Sequence, residues 1–156
     1  MGATRNDLPD NTRKAMIALL NARLADAIDL RLSIKQAHWN VKGPNFIALH
    51  ELFDQIQARV DTFVDDIAER AVTLAGVAEG TAQVAVKSST LTPYPVNLTD
   101  EKEHLKAVAD RIAAFGKNVR AAIDASDEAG DKDTADLFTG VSRQMDKDLW
   151  FIEAHL

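Results

Sequence analysis

Four long stretches of this chain repeat apolar residues at three- and four-residue steps, and no stretch alternates with period two, so the sequence predicts helices and no sheet. The first runs over residues 11–40, with Ile17, Leu20, Leu24 and Ile28 on its stripe, and closes before Gly43-Pro44. The second, over about residues 45–74, carries Leu49, Leu52, Phe53, Ile56, Val60, Phe63, Val64 and Ile67, and weakens at Gly76 and Gly80. Thr99 is the expected cap of the third, which has Asp100 and Glu101 in its first turn and Leu105, Val108, Ile112, Phe115, Val119 and Ile123 on its stripe. That helix ends over 126–130. The fourth starts near 131–134, carries Phe138, Val141, Met145, Leu149 and Ile152, and runs to the C-terminus.

Residues 76–98 break the pattern with small and β-branched residues and with Pro93-Tyr94-Pro95, and are read as a crossover with room for a short helix. Two short turns and one long central connection describe an all-α four-helix bundle with a single crossover between its second and third helices. The 156 residues are read as one domain, residues 1–10 being a short N-terminal extension.

The chemistry open to such a bundle is narrowed by composition. With no cysteine, the chain has no disulfide, zinc-thiolate site, iron–sulfur cluster or thiol nucleophile, and any metal must use His and carboxylates. A formal net charge of -6 suits cation handling better than nucleic-acid binding by the whole surface. No apolar run is long enough to span a membrane, and the first residues lack both a signal region and a myristoylation motif, Asn6 standing where that motif needs Ser or Thr. A cytoplasmic, unlipidated protein is expected.

Helix two carries His50, Asp54, Asp61, Asp65 and Glu69 within a sector about 100° wide at roughly 100° per residue. His50 and Asp54 are one turn apart, as are Asp65 and Glu69, so each pair can offer two ligands to one cation. Asp54 and Asp65, however, are separated by eleven residues, roughly 16 Å along a helix, so one ion cannot touch both pairs of the same chain. Two copies of helix two packed antiparallel about a two-fold axis, expected near Arg59 and Val60, would bring them together. The alternative, Glu-x-x-His on two helices of one bundle, is available only once, at Glu101 and His104.

The stretch KQAHWNVKGPNFIALHELFD over 35–54, followed by DDIAER over 65–70, resembles the ferroxidase motif of the Dps family (DNA-binding protein from starved cells), which is ferritin-like in fold. Thr134-Ala135-Asp136 and the segment 148–153 are similar to that family's last helix. The resemblance implies that His38, His50 and Asp54 of one chain face Asp65 and Glu69 of its neighbour around iron. It further implies a twelve-subunit shell in which Fe(II) is oxidised, preferentially by hydrogen peroxide, and stored as ferric mineral, protecting against oxidative damage.

Lys35 shares a face with His38 and is expected to pair with a carboxylate ligand, in the shell around the metal site. Trp39 adjoins a ligand; packing is the reading preferred for it over shielding the site or supplying an electron, and Trp150 is expected in the core. In Dps-like shells an acidic segment lines three-fold pores, which makes Asp124, Asp127, Asp131 and Asp136 candidates, set against a solvated loop with helix-capping Asp residues. An EF-hand reading of residues 124–136 fails, because aligning Gly130 with the loop glycine puts Ala125 and Ala129 at ligand positions. The rival function is DNA compaction. The nine residues before Asp10 hold Arg5 and no Lys, so a basic arm is not expected, and only Arg5, Arg13 and Lys14 could form a small basic patch.

Overall fold

The computed structural model describes residues 1–156 and contains five helices: α1 Asp10–Asn40, α2 Phe46–Thr73, α3 Ala82–Ser88, α4 Glu101–Glu128 and α5 Lys132–Glu153. There is no strand, only one isolated bridge between Lys42 and Asp100. The helix α3 occupies the crossover, as the small-residue text around it allowed. Two boundaries differ from expectation. Asp100, not Thr99, caps α4, its carboxylate accepting from the backbone N–H groups of Lys102 at 3.0 Å and Glu103 at 3.3 Å, and α5 stops at Glu153 instead of running to the terminus. The capping carboxylate wins because it places negative charge at the helix's positive end.

α1 packs along α2 and α4 along α5; α1 also meets α4 and α3, and α2 meets α5. The core lies between the two hairpins and is filled by Leu20, Leu30 and Ile34, by Phe53 and Ile56, by Leu105, Ile112 and Phe115, and by Phe138 and Met145. Because three elements cover α1, its buried residues include the unbroken run Leu24, Ala25, Asp26, Ala27 and Ile28. A helix enclosed on several sides has no single apolar stripe, and so α1 is the helix least well described by periodicity.

Polar ties hold the crossover. The fully buried Asp26 carboxylate accepts from the Thr90 backbone N–H at 2.7 Å, the Thr90 hydroxyl at 3.0 Å and the Asn118 amide at 3.3 Å, and pairs with Arg23 at 3.1 Å. The Ser89 hydroxyl donates to Asp29 at 2.6 Å. Farther on, the buried His104 ring lies between the Leu98 carbonyl, 3.0 Å from Nε2, and the Tyr94 hydroxyl, 2.6 Å from Nδ1, with the Arg111 guanidinium over the Tyr94 ring. A carbonyl only accepts, so Nε2 carries the proton and Nδ1 accepts from Tyr94. At the α1–α2 turn the Glu101 carboxylate accepts from the backbone and side-chain nitrogens of Asn45 at 3.0 and 2.9 Å. That carboxylate lies where a Cβ on Gly43 would sit, only 2.3 Å away, so the turn requires glycine.

The His104 tie predicts a pH dependence. Burial lowers the His104 pKa, against the Leu98 carbonyl and the charges of Glu103 and Asp100, which raise it. A depressed histidine pKa means that the unfolded chain takes up the proton first, so the stabilisation is complete above the unfolded value near 6.5 and declines as pH falls below it. Amide protection over residues 92–98, measured relative to the intrinsic exchange rate at each pH, should fall between about pH 7.5 and 5.5 in the wild type. The same segment of His104→Gln should show no such extra acid dependence; an equal acid response in both would refute the assignment.

Candidate metal centre

The Gly43-Pro44 turn folds α2 back along α1 so that His38, in the last turn of α1, meets His50, in the second turn of α2. Their rings stack with centroids 3.7 Å apart and planes 20° from parallel. Each ring bonds to the other residue's backbone: His38 Nδ1 lies 2.7 Å from the His50 carbonyl, and His50 Nδ1 lies 2.8 Å from the His38 carbonyl. Since carbonyls only accept, both Nδ1 atoms carry protons, which leaves Nε2 of each ring as the atom able to offer a lone pair. This is the arrangement of a metal-binding imidazole, with the ring fixed by one nitrogen and the other left as donor. Phe46, one turn before His50 on α2, packs against it with centroids 5.1 Å apart, a contact the sequence reading missed although the i,i+4 spacing signals it.

Asp54, one turn beyond His50, accepts a hydrogen bond from the Lys35 ammonium across the α1–α2 seam, and its Oδ1 lies 4.0 Å from His38 Nε2. The Lys35 hydrogen bond holds the Asp54 carboxyl below the usual carboxylate range; desolvation opposes it, and the charges of Lys35, His38 and His50 add to the lowering. Asp54 is therefore an anion at neutral pH. One turn farther along the seam Arg31 donates to Asp61 at 2.5 Å.

Asp65 and Glu69 are exposed on α2, one turn apart, and neither forms a salt bridge in the chain, whose ion pairs all lie elsewhere. The structure brings His38, His50 and Asp54 together and leaves Asp65 and Glu69 apart from them. Within one chain no group of three or more His, Asp or Glu side chains can hold a metal ion. The Glu-x-x-His pair is spent elsewhere, Glu101 on Asn45 and His104 on Tyr94 and Leu98.

Several neighbouring residues stand differently from expectation. Val60 is fully buried and Arg59 turns to the buried Asp148 at 2.6 Å, so at the height along α2 expected for the two-fold axis the outward side chains are Ala58, Asp61 and Thr62. Trp39 is 64% exposed and Trp150 is 63% exposed, which corrects the readings of intrachain packing and core; both lie on faces that no element of this chain covers. Asp131 is buried, caps α5 through the Thr134 N–H at 3.0 Å and pairs with Arg70 at 2.9 Å, so it is not free to line a pore. Asp124, Asp127 and Asp136 are exposed, Asp127 in an ion pair with Lys132 and Asp136 in a groove with Asp66, Glu69 and Arg70.

The model of the ferritin-like domain matches residues 17–156 of the chain. The chain is 49% identical over 153 residues to the DNA protection during starvation protein of Agrobacterium fabrum, a match spanning 98% of this chain and 94% of that protein. Among solved structures, Mycobacterium smegmatis Dps superposes with a TM-score of 0.95 at 31% identity, covering 100% of this chain and 94% of that one. DpsA14 of Streptomyces coelicolor superposes with a TM-score of 0.91 at 36% identity, covering 98% and 90%.

Proposed function

The chain belongs to the Dps family of ferritin-like proteins, and on that footing we propose that it is a ferroxidase that oxidises Fe(II) at sites shared between two copies and stores the ferric product inside a twelve-subunit shell. The observation that carries the reading is the divided donor set. Two imidazoles with free Nε2 atoms and the ionised Asp54 stand at one end of α2, and the unpaired carboxylates Asp65 and Glu69 stand near the other. An antiparallel second copy closes both halves at once, and a two-fold axis then makes two equal sites.

Imidazole and carboxylate bind Fe(II) and tolerate Fe(III), so iron is substrate and cargo here. Each ferrous ion gives one electron. Hydrogen peroxide takes two, its O–O bond breaks, and both oxygens end as water or hydroxide, while the ferric ions hydrolyse to oxyhydroxide and release protons. Taking the electrons in pairs avoids the hydroxyl radical that one-electron reduction of peroxide liberates, which is how the chain would protect against oxidative damage. Exposed Asp124, Asp127 and Asp136 would draw cations toward the shell at its pores. No helix is long and apolar enough to cross a membrane, and the cytoplasm is the proposed location. Mixing Fe(II) with the assembled protein should give faster oxidation with peroxide than with dioxygen, followed by absorbance of the ferric product; oxidation no faster than in protein-free buffer would sink the reading.

The name of the Agrobacterium relative favours DNA protection as a second reading, by compaction. The basic patch this would need is thinner than the sequence suggested. Arg13 is buried, donating to the Leu8 carbonyl at 3.2 Å and pairing with Asp10, which leaves Arg5 and Lys14 on a chain of net charge -6. Iron-free assembled protein should leave plasmid DNA unshifted in a gel at about 0.15 M salt, where surface charges are screened beyond about 8 Å. A shift at submicromolar protein would make compaction the better reading.

A further inference from the structure

Glu101 has no place among the candidate ligands, yet through it α4 grips the turn that brings them together. Its side chain is buried and belongs to none of the chain's ion pairs. The two carboxylate oxygens are divided between the two nitrogens of one residue, Oε2 accepting from the Asn45 backbone at 3.0 Å and Oε1 from the Asn45 amide at 2.9 Å. A further bond, from the Lys42 N–H to the Thr99 carbonyl at 2.7 Å, ties the other side of Gly43-Pro44 to the same segment. Because Gly43 has no Cβ, the carboxylate can press directly against the turn.

Asn45 is the N-cap residue of α2, but its side chain makes no cap hydrogen bond and the first turn of α2 holds no acidic residue. Glu101 supplies from outside the negative charge that favours a helix start, and as the first residue of α4 it does so for both helices. The Asn45 carbonyl accepts from the Leu49 N–H at 3.1 Å, so the placement of Asn45 sets the phase of the turn that leads into His50. On the other side, Lys42 follows His38 by four residues. The two rings are held by reciprocal bonds to each other's backbone carbonyls, and a small shift of α2 along α1 lengthens both bonds at once.

We propose that Glu101 is a positioning residue for the metal centre, fixing from α4 the register in which His38 and His50 face each other, a role that rests on the shared-site reading above. Glu101 touches no metal. Its effect reaches the half-site of His38, His50 and Asp54 through Asn45 and the turn.

Anaerobic Co(II) titration of the assembled protein, read by calorimetry and by the visible Co(II) bands, follows the site without any oxidation step. Glu101→Ala should bind Co(II) about tenfold more weakly, the lower end of the range for removing a group that orients ligands, with altered bands but wild-type sizing and helix content. Glu101→Gln, which keeps one acceptor for Asn45, should fall between the two. Asn45→Ala should also weaken binding, and combined with Glu101→Ala it should add little, because both break one tie. Asp26→Asn weakens the fold elsewhere and should bind as the wild type does, which separates positioning from general stability. Wild-type affinity and bands in assembled Glu101→Ala overturn the proposal while leaving the shared site standing, as do an equal loss in Asp26→Asn or fully additive losses in the Glu101→Ala, Asn45→Ala pair. If Glu101→Ala fails to assemble, Glu101→Gln and Asn45→Ala decide: weaker binding in both supports the role, and wild-type binding in either overturns it. No Co(II) binding by the wild type, or wild-type binding by a His50→Ala, Asp54→Ala double variant, overturns the shared site itself.

Discussion

His50→Ala and Asp54→Ala should each slow rapid Fe(II) oxidation by roughly a hundredfold or more, a larger loss than removal of a group that only supports a ligand. Each residue is half-buried at the edge of the α1–α2 seam, outside the apolar core. Substitution there should change stability by no more than about 1 kcal/mol, leaving helix content and assembly intact. His50→Ala removes one Nε2 donor and also the Nδ1 bond to the His38 carbonyl, so the remaining imidazole loses its stacking partner as well. Asp54→Asn is the finer probe. It keeps the shape and a hydrogen-bond acceptor for Lys35 but removes the anion, and a loss close to that of alanine would assign the effect to charge. Circular dichroism and sizing, run beside the oxidation kinetics, separate a missing ligand from a missing fold, and wild-type rates in either assembled alanine variant would contradict the site.

Asp26→Ala should be the most damaging single change away from the site, costing about 3–5 kcal/mol, the range for stranding the partners of a buried ionic group. The carboxylate is fully buried and serves the Thr90 backbone and hydroxyl, Asn118 and Arg23 together. Without it the crossover loses its tie to α1, and the Thr90 N–H and the Arg23 guanidinium are left facing a low-dielectric interior. Asp26→Asn retains one acceptor for Thr90 and should fall between wild type and alanine. Denaturant midpoints at fixed protein concentration measure the loss, the concentration being held because assembly adds to apparent stability. Exchange of the amides over 89–91 should rise in parallel; a midpoint within about 0.5 kcal/mol of wild type would show the network to be dispensable.

The bundle was legible where one face of a helix meets one neighbour. The stripe of α2 from Leu49 to Ile67 has the helical period because the core touches that face, and the polar residues opposite it carry the candidate ligands. Periodicity says less about α1, whose run from Leu24 to Ile28 is enclosed on several sides. Lys35 was expected beside a carboxylate because it shares a face with His38, and it meets Asp54. The ties made across the chain were not legible: Glu101 with Asn45, Asp26 with Thr90 and Asp131 with Arg70 join residues 56 to 64 positions apart, and no local pattern announces which acidic residue will be buried. Asp131 illustrates the limit. In an acidic stretch it reads like its neighbours, yet it alone of the four pore candidates turns inward to cap a helix and hold an arginine. Trp150 fails as a core residue for the opposite reason, since hydrophobicity marks surfaces that want covering without saying whether the chain's own elements will cover them.

The central claim is that each site needs two copies of the chain, and mixing His50→Ala with Glu69→Ala subunits tests it most directly. Each variant alone lacks a donor at every site. A mixed dimer collects both substitutions at one of its sites and leaves the other with a complete set, so random mixing in equal amounts restores about a quarter of all sites by two-fold symmetry. With mixing proven by mass spectrometry of the intact assemblies, the account predicts Fe(II) oxidation recovering to roughly that fraction of the wild-type amplitude. Fully mixed assemblies as inactive as the two separate variants would contradict it.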